Sequence, residues 1–252
     1  MIVLYSDFGL AGPYTGQVKA ALWREAPGVP VIDLFADAPS QRPLESAYLL
    51  AAYAGADVFP MGSVFLCVVD PGVGSDRPAV ALLVDGRWFV GPGNGLFELV
   101  QRRGRSVESY HILPADGAVS PSFHGRDLFA PVAGRLAVGK APELAGMRLG
   151  SVPRFADWPD DLPAIVYIDG YGNLLTGLRA SFLPPNATVR LAEKDRPRAR
   201  TFSDVPVGHP FWYENANGLV EIAVNRGRAD RLFSLGIGAP VEVIPTDCPP
   251  AW

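Results

Sequence analysis

The sequence predicts an α/β N-terminal domain with a mostly parallel sheet, followed by a small C-terminal all-β barrel domain. Three observations carry this expectation. Short β-branched apolar runs alternate with helical periodicity from Ile2 to Val138, the pattern of a parallel sheet covered by helices. Between Gly146 and Pro163 the periodicity stops, and Pro153, Trp158, Pro159 and Pro163 punctuate the chain. Beyond Pro163 the chain is strand-like and rich in turn residues. The expected division is therefore residues 1–150, a linker over 151–163, and residues 164–252.

Each element has its own signal. Ile2-Val3-Leu4-Tyr5 reads as a buried strand. Val18, Ala21, Leu22 and Glu25 recur at helical spacing over Tyr14 to Glu25, which ends before Pro27-Gly28. Val29 to Leu34 reads as a second strand, and Leu44 to Tyr53 as a helix with Leu44, Ala47, Leu50 and Ala51 inward. A third strand spans Val64 to Val69. Asp85-Gly86 between Val80–Val84 and Trp88–Val90 is a two-residue hairpin signal. Asn94 to Arg102 and Asp127 to Val138 read as later helices, and Ile165–Ile168, Thr188–Leu191, Leu219–Val224 and Val241–Ile244 as strands of the second domain. Lys194 to Arg200, broken by Asp195 and Pro197, reads as a solvated hairpin or loop.

Composition narrows the function classes. With 48% apolar and 19% charged residues, the chain can bury a full core and is not a disordered segment. Its net charge of −4 and lack of a basic stripe exclude a nucleic-acid footprint. No apolar run approaches the roughly 20 residues of a membrane span, and the start reads as a strand, not a signal peptide, so a soluble cytoplasmic protein is expected. Cys67 lies in an apolar strand and Cys248 in a Pro-rich tail, without disulfide or metal-ligand spacing. His111 and His209 stand apart from His124, and no H-x-x-H or H-E-x-x-H pair occurs, so no metal is expected. Neither a phosphate loop nor a G-x-S-x-G elbow is present.

Three acids sit just past apolar runs: Asp7, Asp70 and Asp169. In open α/β sheets ligands bind outside the carboxyl ends of strands, and Gly and Pro after each acid bend the backbone close to whatever it holds. Asp70 and Arg77, seven residues apart, read either as a charge-assisted pair across a loop or as a plain turn with a surface arginine. Gly91-Pro92-Gly93-Asn94-Gly95 reads either as backbone approaching a ligand or as a tight turn capped by Asn94. His124 stands out because polar residues surround it at a loop-to-helix entry. Asp169, Tyr171 and Asn173 combine an acid, an aromatic face and an amide on one loop, a set that suits a nucleoside. Asn217 and Asn225 are further amide candidates, alongside Asn215.

At these residues the chain resembles a known family. Ser6-Asp7-Phe8-Gly9, Asp70-Pro71-Gly72-Val73-Gly74 with Arg77, Phe123-His124-Gly125-Arg126-Asp127, Asp169-Gly170-Tyr171-Gly172-Asn173 and Glu221-Ile222-Ala223-Val224-Asn225 are similar to motifs of the S-adenosyl-L-methionine hydrolases (adenosine-forming). These are also called S-adenosylmethionine hydroxide adenosyltransferases and are relatives of fluorinase and chlorinase. The resemblance implies an N-terminal α/β domain, a C-terminal β-barrel, and a homotrimer with sites between subunits. It implies attack of water or hydroxide on ribose C5′ with methionine leaving as a neutral thioether, without a cofactor. The family's Asp–Arg–His set falls on Asp70, Arg77 and His124, and its ribose-binding acid on Asp7. The loop touching adenine and the methionine amino group falls on Asp169, Tyr171 and Asn173; Phe8, Val73, Asn94, Gly125, Asn217 and Asn225 are further expected substrate contacts. Two positions depart from the pattern: Gly12, where many members carry an acid, and Gly177, where an Asn commonly follows the Thr. Two alternatives stay open: a non-catalytic S-adenosylmethionine or adenosine sensor, and a halide-using relative. The halogenases carry a Tyr at Asp70 and a Ser at Gly125, and an acid at position 70 repels an anion by a few kcal/mol at short range.

Overall fold

The structure is a computed structural model, and it describes residues 1–55, 57–114, 119–184 and 186–244. Cys248 and the end of the Pro-rich tail lie outside the described residues. Contacts divide the chain into two compact units, Met1–Asp157 and Trp158–Trp252.

In the first unit the chain runs β1 (Ile2–Ser6), α1 (Tyr14–Glu25), β2 (Val31–Phe35), α2 (Pro43–Tyr53), β3 (Val64–Val68), β4 (Ala79–Val84), β5 (Arg87–Pro92), α3 (Glu98–Arg103), β6 (Val107–Ile112), α4 (Ala130–Ala137) and β7 (Met147–Leu149). One seven-stranded mixed sheet has the order β2-β1-β3-β5-β4-β6-β7. The β2-β1, β1-β3 and β3-β5 pairs are parallel, and the pairs from β5 through β7 are antiparallel, so only β4 and β7 run against the rest. β1 and β3 are wholly buried, which explains why both read as unbroken apolar runs. The chain leaves β1 towards β2 on one side and returns to β3 on the other. The direction of winding therefore reverses between β1 and β3, the place where open α/β sheets bind ligands.

Helix packing follows the small residues. Val18, Ala21 and Leu22 of α1 face inward, and α4 approaches closely at Gly134, where a Cβ would come within 2.6 Å of Glu25 Cβ. Arg135 closes that contact with two bonds to the Glu25 carboxylate, each 3.1 Å. Five-residue β2 starts at Val31, two residues later than expected, after Pro27-Gly28 and Pro30. α2 buries every residue from Glu45 to Leu50 rather than a single stripe, because it is covered on more than one side.

Two expected helices differ. The helix expected over Asn94 to Arg102 begins at Glu98, because Gly93 to Phe97 form the turn leaving β5. The helix expected from Asp127 begins with a π-helical turn over Gly125–Phe129 before α4, a widened turn often found at functional sites. β6 and β7 were not expected as full strands; Val107, Glu108 and Leu149 are exposed on them, which blurs their apolar pattern. Residues after β7 are tied down: the buried Glu98 carboxylate accepts from Arg102, Arg154 and the Phe155 backbone at 2.9–3.2 Å.

The second unit contains β8 (Leu162–Ile168), β9 (Leu174–Arg179), β10 (Thr188–Leu191), β11 (Lys194–Arg196), β12 (Pro210–Glu214), β13 (Leu219–Val224), α5 (Ala229–Phe233) and β14 (Glu242–Ile244). It forms a four-stranded sheet, β12-β13-β9-β8, and a three-stranded sheet, β11-β10-β14, both antiparallel. Isolated bridges Ala164–Pro240 and Arg198–Trp212 lie outside these ladders. Of the basic Lys194–Arg200 segment only Lys194–Arg196 is a hairpin strand, paired with β10; Arg196 is buried against Phe233 and Arg198 lies over Trp212, so part of the segment is packed rather than solvated. No helix among the described residues is long and apolar enough to cross a membrane.

Candidate active site

The parallel register puts the first two acids side by side. Ser6 pairs with Val68, so Asp7, one step past β1, and Asp70, two steps past β3, leave the same sheet edge. The next parallel strand, β5, ends there too and delivers Asn94, whose Nδ2 donates to Val69 O at 2.9 Å while its Oδ1 accepts from Leu96 N at 3.3 Å. Asn94 is therefore engaged in holding the backbone before Asp70. The loop from β3 to β4 stays at this edge, because β4 starts opposite the end of β5, with Ala79 paired to Pro92. β6 also ends here, and the chain then enters the π-helical turn behind His124.

Of the two readings of Asp70 and Arg77, the structure takes the ion pair. Arg77 Nε donates to Asp70 Oδ1 at 2.8 Å and Nη2 donates to Oδ2, a two-pronged contact with only 4% of the Asp70 side chain exposed. Arg77 Nη2 also meets His124 Nδ1 at 2.9 Å, Nη1 reaches Pro78 O at 3.4 Å, and the guanidinium lies over the Phe129 ring at 5.2 Å. An arginine has only donors, so His124 Nδ1 must accept. A neutral His124 then carries its proton on Nε2. Burial and the neighbouring Arg77 charge both lower the His124 pKa, against smaller opposing effects of Asp70 and Asp127, so the neutral form prevails at pH 7.

Asp7 accepts from the Gln41 backbone at 2.9 Å. Burial raises its pKa, Gln41 lowers it, and the nearby Asp70 raises it further. Phe8, Tyr14 and Phe123 form an aromatic group with ring centroids 5.6–6.2 Å apart. Gly125 tucks beneath it, where a Cβ would stand 3.1 Å from Phe8 Cζ. Val73, on the loop between Asp70 and Arg77, is exposed.

In the second unit the Asp169 loop is pre-folded. Asp169 Oδ1 accepts from the backbone of Tyr171 and Asn173 at 2.9 and 2.8 Å, and Oδ2 from Asn173 Nδ2 at 3.1 Å. Gly172 has φ +84°, and Arg228 with Asp230 packs where its side chain would be, bracing the loop from outside. Tyr171 is 80% exposed, a ring without a cover on this unit. Asn217 sits half-buried in the turn between β12 and β13, its backbone held by Asn215 Oδ1 at 2.9 Å. Asn225 is turned to the backbone, its Nδ2 donating to Val205 O at 2.6 Å, so its amide ties a loop. Phe129 and Glu221 were not among the sequence candidates. Phe129 reads as an ordinary helical apolar residue, whereas Glu221, an acid inside the apolar run Leu219–Val224, was a signal open to reading. Among the described residues, no group of three or more His, Cys, Asp or Glu side chains is placed to hold a metal ion.

Comparison with known proteins matches this arrangement to a family. The chain is 39% identical to an (R)-S-adenosyl-L-methionine hydrolase of Thermus thermophilus, over 96% of this chain and 99% of that one. It is 34% identical to an (R)-S-adenosyl-L-methionine hydrolase of Salinispora arenicola, over 94% and 95% of the two chains. A crystal structure of an uncharacterized conserved protein from Thermotoga maritima superposes with a TM-score of 0.85 at 28% identity, covering 97% of this chain and all of that one. The models of the SAM hydroxide adenosyltransferase N-terminal and C-terminal domains match residues 2–146 and 163–242. The chain belongs to the SAM hydroxide adenosyltransferase family.

Proposed function

We propose that this protein hydrolyses S-adenosyl-L-methionine to adenosine and L-methionine, by attack of water or hydroxide on ribose C5′. The observation that carries the mechanism is the Asp70–Arg77–His124 cluster at the sheet's reversal point. A sulfonium is already an activated leaving group, so no acid has to protonate it and no metal has to polarise it. The missing ingredient is a nucleophile, since water is weak with a pKa near 16. Arg77, clamped by Asp70, and the Nε2–H of His124 are two fixed donors that stabilise the water oxygen as it loses its proton and takes on hydroxide character, a charge that the forming C5′–O bond then neutralises. The C5′–O bond forms, the C5′–S bond breaks with its electron pair staying on sulfur, and the proton of the water is released to solvent. Asp7 holds the ribose hydroxyls, beside Phe8, Val73 and Gly125. Asp169, Tyr171 and Asn173 hold the adenine and the methionine amino group, with Asn217 beside them.

The same reading takes the protein as a cytoplasmic homotrimer, each site shared by the Asp7–Asp70 edge of one subunit and the Asp169 loop of another. Its domains are 1–150 and 164–252 about a 151–163 linker, and the two sheets of the second wrap one core as a small barrel; the isolated bridges support that closure. A halide-using relative is disfavoured, because the Asp70 carboxylate lies beside the place an anion would take and Gly125 offers no side-chain donor to it. The test is incubation of the purified protein with S-adenosylmethionine in chelator, following both products by chromatography. Adenosine and methionine are expected in equal amounts. Tight binding without turnover would identify a sensor instead, and activity lost in chelator but restored by a divalent ion would refute the metal-free step.

A further inference from the structure

Asp127 is an acid that the proposed reaction does not use, yet its carboxylate reaches back around His124. Oδ2 accepts from the Ser120 backbone at 3.1 Å, so the segment from Ser120 to Asp127 is closed into a ring with His124 inside it. Further bonds stiffen the ring: Phe123 N donates to Ser120 O at 3.2 Å, and Phe123 O accepts from Arg126 N and Asp127 N, both at 3.1 Å. The carboxylate is itself held, since Arg126 Nε donates to Oδ1 at 2.6 Å and Arg126 Nη2 to Oδ2 at 2.8 Å. The same guanidinium anchors the ring to its surroundings. Nη1 donates to Gln17 Oε1 of α1 at 2.8 Å, and the centre of the group lies over the Phe123 ring, 4.9 Å from its centroid.

The ring also meets the loop that carries Arg77. Gly74, at φ +80°, packs so closely on Pro121 that a Cβ there would come within 2.7 Å of the Pro121 carbonyl oxygen. The 2.9 Å contact between Arg77 Nη2 and His124 Nδ1 therefore spans two loops whose backbones already touch. A hydrogen bond weakens steeply as its distance and angle leave the optimum, so the backbone that carries His124 has to be fixed for this one to form. Without the bond from Ser120 to Asp127 the segment is a longer open loop with more conformations to lose. We propose that Asp127, clamped by Arg126, is a positioning residue that fixes His124 against Arg77 and so aims the Nε2–H of His124 at the attacking water. This rests on the reading of His124 as a donor to that water. Asp127 itself touches neither the water nor the substrate.

The experiment is a double-mutant cycle on single-turnover rates that combines Asp127→Ala with His124→Ala. Asp127→Asn is measured alongside, and thermal unfolding checks each fold. Asp127→Ala alone is expected to lower the rate about tenfold or more, with the KM for S-adenosylmethionine within about twofold, because misplacing a donor weakens the transition state more than the bound substrate. In the His124→Ala background the same change should cost less than about twofold, since the group it positions is gone. Asn keeps an oxygen for the Ser120 amide, so Asp127→Asn should retain clearly more activity than Asp127→Ala. A merely structural role costs the same factor in both backgrounds, and that outcome overturns the inference. Equal loss in Asp127→Asn and Asp127→Ala overturns it too, because the charge and not the tether is then what counts. If Asp127→Ala does not fold, the cycle is run with Arg126→Gln, and a factor left unchanged by His124→Ala overturns the inference in the same way. Wild-type protein that binds S-adenosylmethionine without turning it over overturns the reaction itself, and this inference with it.

Discussion

Arg77 is held on five sides: by both oxygens of Asp70, by His124, by the Pro78 carbonyl and by the Phe129 face. A cation fixed in this way needs no reorganisation when charge develops on the nucleophile. Arg77→Ala is therefore expected to lower kcat by about 10²–10³ while changing substrate binding little, with single-turnover rates and separate binding measurements as the check. Normal turnover with poor binding would make Arg77 a binding residue. For His124 the donor assignment makes a sharper demand. Gln carries an N–H group at about the reach of Nε2 but cannot act as a base, so His124→Gln should retain clearly more activity than His124→Ala. Equal loss in both would point to a base. Protonating His124 places a hydrogen on Nδ1 against the Arg77 N–H, so wild-type activity should fall on the acid side, with a midpoint below the ordinary value of 6.5 because the pKa is lowered. Spacing allowed the Asp70–Arg77 pair as one of two readings. The Nδ1 contact lay outside any sequence argument, because 47 residues separate Arg77 from His124.

Among the elements, β3 and β5 show how tightly the edge is built. A Cβ on Gly91 would lie 2.1 Å from the Cys67 carbonyl, so the two strands approach as only glycine permits. Gly91→Ala should destabilise the fold by about 1–3 kcal/mol and displace Asn94 and the backbone it holds, lowering both melting temperature and kcat. α3 carries a different device. Glu98 is fully buried, and although burial alone would raise its pKa, the bonds from Arg154, Phe155 and Arg102 bring it below the usual value of 4.5. A carboxyl with a depressed folded pKa contributes stability that is present above its unfolded value and lost as pH falls through its folded one. Acid unfolding of Glu98→Gln should accordingly lose the component that wild type shows below pH 4.5, with a cost near neutrality of about 2 kcal/mol. Apolar run length and helical spacing located β1, α1, β3 and the β4–β5 hairpin because each buries a regular face. β6, β7 and the start of α3 escaped because exposed residues or turn geometry mask the period there.

At the scale of the whole molecule, the candidate acids divide between two units, Asp7 and Asp70 in one and Asp169 in the other. If subunits share each site, mixing Asp70→Ala with Asp169→Ala protein under conditions of subunit exchange should restore part of the activity, because some mixed sites carry neither change. Demonstrated exchange without recovery would reject the shared site. The sequence by itself determined the α/β order of the first unit, the strand-rich second unit, and the family, since these rest on local periodicity and on short motifs readable one segment at a time. Tertiary structure alone decided which strand ends adjoin. The order β2-β1-β3-β5 and the Ser6–Val68 register bring Asp7, Asp70 and Asn94 to one edge, and no local pattern encodes a register between strands some 60 residues apart. It also decided which amides remain available to a ligand. Asn94 and Asn225 are turned to carbonyls and Asn173 to the Asp169 carboxylate, because a polar group that folding buries takes whatever partner the packed neighbours supply.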